Sequence, residues 1–101
     1  MTITINGNAE LAKAADRGSG TKNDPYVIEG RIEAMDINGT DKHLVIRECV
    51  FTGQHYFHVT EARNVEIVEN SFSGIGIDIR SSSRIIIMMN EVSKSWEKGI
   101  Y

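Results

Sequence analysis

Apolar and polar residues alternate in short bursts along most of this chain, and the bursts recur. "LVI" at 44–46, "VEI" at 65–67 and "III" at 85–87 each bring an apolar residue back at every second position. Period two marks a β-strand with one buried face and one wet face. The β-branched content of "NVEIV" and "RIIIM" agrees with strand. Leu44, Val65 and Ile85 align, as do Ile46, Ile67 and Ile87, at offsets of 21 and then 20 residues. Cys49, Asn70 and Asn90 follow in each copy, and then Phe51, Phe72 and Val92. A second strand comes next, "YFHV" at 56–59 and "GIDI" at 76–79, setting Phe57 against Ile77 and Val59 against Ile79. "GIY" at 99–101 reads as the start of the same segment again, so the last copy is expected to be incomplete.

A repeat near twenty residues with two or three short strands per copy predicts a β-solenoid of about three to four turns. Leucine-rich repeats have a similar length, but only Leu11 and Leu44 occur here. Equivalent strands should stack as parallel sheets and equivalent side chains as ladders. Cys49, Asn70 and Asn90 fall where the path must bend, so the asparagines are expected in the left-handed region, with amides bonded along the stack. In that column Cys49 reads as a small, partly buried corner residue and not as a nucleophile.

Residues 1–24 break the pattern. "TITI" predicts a short strand, and "NAELAKAADR" at 8–17 a helix with Asn8 as N-cap and Leu11, Ala14 and Ala15 on one face. "GSGTKND" is a loop. From residue 25 alternation resumes, with Met35 and Ile37 preceding Phe57 and Val59 by 22. The whole of 1–101 therefore reads as one domain, its helix covering the open end of the core.

Composition adds bounds. With 41% hydrophobic and 25% charged residues, the chain is that of an ordinary folded domain. A net charge of -3 gives no general attraction to nucleic acid, and the longest apolar run, "IIIMM", is far too short to insert in a membrane. The single cysteine permits no internal disulfide and leans towards a reducing compartment. No secretory signal pattern opens the chain, and its compartment is left open.

The segment "GSGTKNDPYVIEG", followed by turns such as "NVEIVENSFSGIGIDI", resembles the right-handed parallel β-helix family, in its NosD-like, pectate-lyase-like branch. The resemblance spans most of the chain and implies a right-handed solenoid. It is poorly specific for activity, because such families include polysaccharide lyases, hydrolases, epimerases, surface proteins and phage adhesins. It also implies an exported or surface protein and carries an association with copper.

Candidate chemistry is sparse. His58 and Asp78 occupy equivalent outward places on adjacent strands, about 5 Å apart by strand spacing. Such a pair could serve general acid–base chemistry or be an ordinary cross-strand contact, and the ordinary reading is preferred. Asp36, Asp41, Glu61 and Glu69 could serve a calcium-dependent lyase, but no loop motif groups them. His55 and His58 in "HYFH" point to opposite faces of a strand; His43, Cys49, Met88 and Met89 complete a weak metal set, so no metal or other cofactor is assigned. No phosphate loop or nucleophile elbow appears.

Two function classes remain. The first is a non-catalytic structural, surface or adhesion-type module, with glycan as its candidate ligand. The second is a carbohydrate-active enzyme, a lyase or hydrolase, or a fragment of one. Self-association is expected in the first class, through an outward apolar patch of Val45, Val68, Ile86 and Met88 and through the unfinished strand ending at Tyr101.

Overall fold

The computed structural model describes residues 2–51, 56–73, 77–88 and 91–93. These are mostly strand, arranged in parallel sheets, with one helix. In chain order the elements are β1 (Thr2–Asn6), α1 (Gly7–Ala14), β2 (Tyr26–Glu29), β3 (Ala34–Asn38), β4 (Leu44–Arg47) and β5 (Val50–Phe51). They continue with β6 (Phe57–Thr60), β7 (Arg63–Val68), β8 (Ser71–Ser73), β9 (Asp78–Arg80), β10 (Ser83–Met88) and β11 (Glu91–Ser93).

Three sheets result, each taking its strands in turn along the chain. Sheet A runs β1-β3-β6-β9, sheet B β2-β4-β7-β10, and sheet C β5-β8-β11. All pairings between these strands are parallel. The registers are those the alternation predicts: Leu44 pairs with Val65 and Val65 with Ile85, while Met35 pairs with Phe57. Phe51 pairs with Phe72, and Phe72 with Val92.

Parallel in-register pairing puts like residues over like, and the core follows directly from it. Ile5, Ile37 and Val59 form one buried column in sheet A; Ile28, Ile46 and Ile67 form another in sheet B. The rings of Phe51 and Phe72 stack with centroids 4.8 Å apart and planes 9° apart, and Phe57 meets both edge-on. Offset and edge-on rings of this kind add to simple area burial.

The helix differs from the expectation for 8–17 at both ends. It spans Gly7–Ala14, with Asn6 as N-cap and no side-chain cap bond. Asn8 is used elsewhere: its amide donates to the Asp41 carboxylate, 2.7 Å away, and its side-chain oxygen accepts the Asp41 N–H. At the other end β2 draws the chain out of the helix. The Asp16 N–H donates to the Val27 carbonyl at 2.7 Å, and the Val27 N–H to the Arg17 carbonyl at 2.9 Å, an antiparallel bridge. Helical continuation would forfeit both bonds. Leu11 is fully buried as expected, and α1 packs against β1 and β2, the outermost strands of sheets A and B.

A second correction concerns the bends. The residues in the left-handed region are Glu48 and Glu69, each one position before the Cys49/Asn70 column, and not Asn70 itself. Gly30, with φ 68°, is the corresponding corner after β2, where glycine meets the same demand without steric cost. Asn70 bonds to backbone: its oxygen accepts the Cys49 N–H and its amide donates to the Ile46 carbonyl. Asn90 lies outside the described residues.

Candidate functional site

The outer face of sheet A carries the polar positions between its buried columns. Thr4, Asp36, His58 and Asp78 stand in one register column on β1, β3, β6 and β9. His58 and Asp78 do meet: Nε2 lies 3.9 Å from the Asp78 Oδ2. That is an ion-pair distance and too long for a direct hydrogen bond. The other Asp78 oxygen accepts a 2.8 Å bond from Arg80 Nε, so the carboxylate is anchored from its own strand. Tyr56 is 40% exposed, and its ring centroid lies 4.8 Å from that of His58.

The resulting surface is open. It offers an exposed aromatic ring, an imidazole, a guanidinium and carboxylates across about two strand spacings. Chemically it can stack an apolar ring face and bond hydroxyl groups around it. Sequence reasoning placed His58 and Asp78 together but set Asp36 among the calcium candidates. Its partnership was readable, since the same 22-residue offset that aligns Met35 with Phe57 also aligns Asp36 with His58.

The calcium candidates are dispersed. Asp41 is held by Asn8 on the α1 side, Glu69 by Arg47 at 3.3 Å, and Glu61 occupies a left-handed corner beyond β6. Among the described residues no three His, Cys, Asp or Glu side chains are grouped to hold a metal ion. His43 lies on sheet B's side, next to β4, and Met88 is exposed on β10, while His55 and Met89 lie outside the described residues.

Cys49 is buried, and its thiol donates to the Arg47 carbonyl at 3.3 Å. Burial pushes this thiol above its ordinary pKa, with Arg31 opposing more weakly. A protonated, enclosed thiol is no nucleophile. The expected apolar patch is split by depth. Ile86 and Met88 are each 46% exposed, whereas Val68 beside Met88 is half-buried, as is Val45, which Glu66 separates from Ile86; Tyr101 lies outside the described residues.

No family model, curated protein or solved structure matches this chain. Among the described residues, no helix is long and apolar enough to cross a membrane.

Proposed function

We propose that the chain is a right-handed parallel β-helix of the NosD-like, pectate-lyase-like kind, working as a non-catalytic surface or adhesion-type module that binds glycan. The wholly parallel pairing of three sheets, at strand offsets near twenty residues, supports the architecture. The function rests on one observation: exposed Tyr56 lies against His58, beside Arg80-anchored Asp78, on an open strand face. Aromatic faces stack on the C–H faces of sugars, and fixed charged groups bond their hydroxyls. An open face suits a long polymer that passes across it, and a tethered carboxylate suits binding better than proton transfer.

The test is a panel of immobilised oligosaccharides probed with the wild type, Tyr56→Ala and Asp78→Asn. Retention of at least one glycan class, lost with Tyr56→Ala while the fold is kept, is the expected result. Equal retention of all three proteins, or of none, would overturn the glycan reading.

A carbohydrate-active enzyme is the second reading, and Asp36 gives it its specific support. Asp36 and Asp78 flank His58 two strand spacings apart, about 10 Å. Inverting glycosidases hold their carboxyl groups about 6.5–9.5 Å apart, just under that value. Release of reducing ends from any glycan in the panel, abolished in both Asp36→Asn and Asp78→Asn, would select this reading.

The module is further proposed to self-associate through Ile86 and Met88. Both sit on β10, the last of the described strands in sheet B, and large exposed apolar side chains in adjacent outward positions commonly mark contact surfaces.

A further inference from the structure

The outer face of sheet B forms one wall of a cleft of about 520 Å³, and the 18–25 loop forms the other. That volume is in the range of small-molecule sites. We propose that this cleft binds a small organic carboxylate with an apolar body and one hydroxyl or ammonium group. The assignment is independent of the glycan reading.

Charge and shape carry it. Lys22 enters from the loop and Arg84 from β10, two cations against the single carboxylate of Glu66. The imbalance favours an anion, and Arg84 can receive a carboxylate through two parallel N–H groups. Pro25 and Ile86 give the cleft its apolar wall. Glu66 supplies an acceptor for the one donor group of the ligand.

The site is also built in advance. The Asp24 carbonyl accepts the N–H groups of Ser19, Gly20 and Thr21 at 3.0, 3.0 and 3.2 Å, and Ser19 Oγ donates to the Asp24 carboxylate at 2.9 Å. The loop is pinned to the sheet where the His43 N–H donates to the Gly20 carbonyl at 3.0 Å. Lys22 therefore stands on a braced turn.

Backbone strain marks the facing wall. Glu48, Glu61, Glu69 and Ser81 take left-handed conformations at bends between strands, but Asn64 and Arg84 take them inside β7 and β10, at φ 60° and 55°. Each directly precedes a member of the paired Val65–Ile85 column, as His43 precedes Leu44, and all three line the cleft. Non-glycine residues held in this region cluster at ligand sites; the Asn64 amide is turned to the Asp41 carbonyl at 2.9 Å, and Arg84 is the strained residue that offers the ligand a charge.

The probe is 3-phenyllactate, titrated into the full chain and followed by amide chemical shifts. Two analogues accompany it: 3-phenylpropionate, which lacks the hydroxyl, and 3-phenylpropane-1,2-diol, which lacks the carboxylate. Shifts at His43, Asn64 and Glu66 are expected with phenyllactate at low millimolar concentration, weaker with phenylpropionate, and absent with the diol. Lys22→Ala and Arg84→Asn, the latter chosen because asparagine tolerates the left-handed backbone, should each weaken binding about tenfold or more. Lys13→Ala, on α1, should leave it unchanged, and each variant's unfolding midpoint confirms that it is folded. Absence of shifts with phenyllactate, equal response to the diol, or a folded Arg84→Asn that binds normally would overturn the proposal.

Discussion

The backbone N–H of Cys49 donates to the side-chain oxygen of Asn70, 3.0 Å away and one strand-pass later in the chain. The Asn70 amide simultaneously donates to the Ile46 carbonyl at 2.9 Å, so one buried side chain satisfies two backbone groups on the neighbouring pass. Asn70→Ala removes both bonds at once. Each such loss costs about 1–3 kcal/mol, so a destabilisation of about 2–4 kcal/mol is expected in urea unfolding. Asn70→Asp should be no milder at neutral pH, because it keeps the acceptor but buries a charge.

The Phe51 and Phe72 rings form a second cross-pass tie. Phe72→Ala should cost about 3–5 kcal/mol through cavity formation. A double-mutant cycle with Phe51→Leu and Phe72→Leu should return a coupling of about 0.5–1.5 kcal/mol for the stacked pair. Additive losses would show that the rings merely fill space.

Glu61 holds φ at 51° where its register neighbour on the preceding pass is Gly39, with φ 72°. Glu61→Gly relieves a left-handed side chain while loosening the unfolded chain. The first effect is about 1–2 kcal/mol and the second about 0.5–1, so a net gain of about 0.5–1 kcal/mol is expected. Glu61→Val should be destabilising, since a β-branched residue fits that backbone worst. Both are read from the shift of the unfolding midpoint.

Asp16 should give the fold an acid-sensitive tie. Burial alone would raise its pKa, but the N–H of Glu29 and the guanidinium of Arg31 bond its carboxylate and together hold it below the ordinary value. A lowered folded pKa means that the stabilisation is complete above the ordinary carboxylate pKa and fades as pH falls through the folded one. Asp16→Asn should therefore be less stable than the wild type at pH 7, with the gap closing as pH drops below about 4. Unfolding midpoints across that range test it; a constant gap would assign the loss to packing.

Sedimentation at micromolar concentration tests the Ile86–Met88 surface. The wild type should show associated species, and the Ile86→Lys, Met88→Lys double variant should run as a monomer. A wild type that is monomeric throughout would sink the self-association claim.

The register of this fold was legible because parallel pairing stacks equivalent residues. Leu44, Val65 and Ile85 had to share one side, and the 20- to 22-residue offsets state the pairing directly. Helix length was not legible. Nothing near Asp16 and Arg17 reveals that Val27 will claim them, since that bridge depends on where β2 lies. The bends were misread for a related reason: left-handed preference suggested the asparagines, but corner geometry imposes that conformation on Glu48 and Glu69 regardless of propensity. For the site, alternation exposed His58 and Asp78 as neighbours, and the role of Asp36 followed from an offset already in use. The cleft beside Arg84 left no such trace, because its loop wall is joined to sheet B by backbone bonds.

The stacking of successive passes also sets the pace at which this chain can fold. β4 and β6 to β11 each find an earlier partner 18 to 22 residues back, and β3 finds β1 32 residues back, so few stabilising contacts are local. A mean separation of that size in 101 residues corresponds to a relative contact order of about 0.2, a value typical of millisecond-to-second folding. On the proposed solenoid reading, growth proceeds by addition: once two passes have closed around Phe51 and Phe57, each further pass meets a ready template and loses only its own loop entropy. A chain emerging from the ribosome meets these conditions in order, with α1 and β1 to β4 available before β7 exists. Substitutions in β4 should slow folding, and those in β10 should chiefly hasten unfolding.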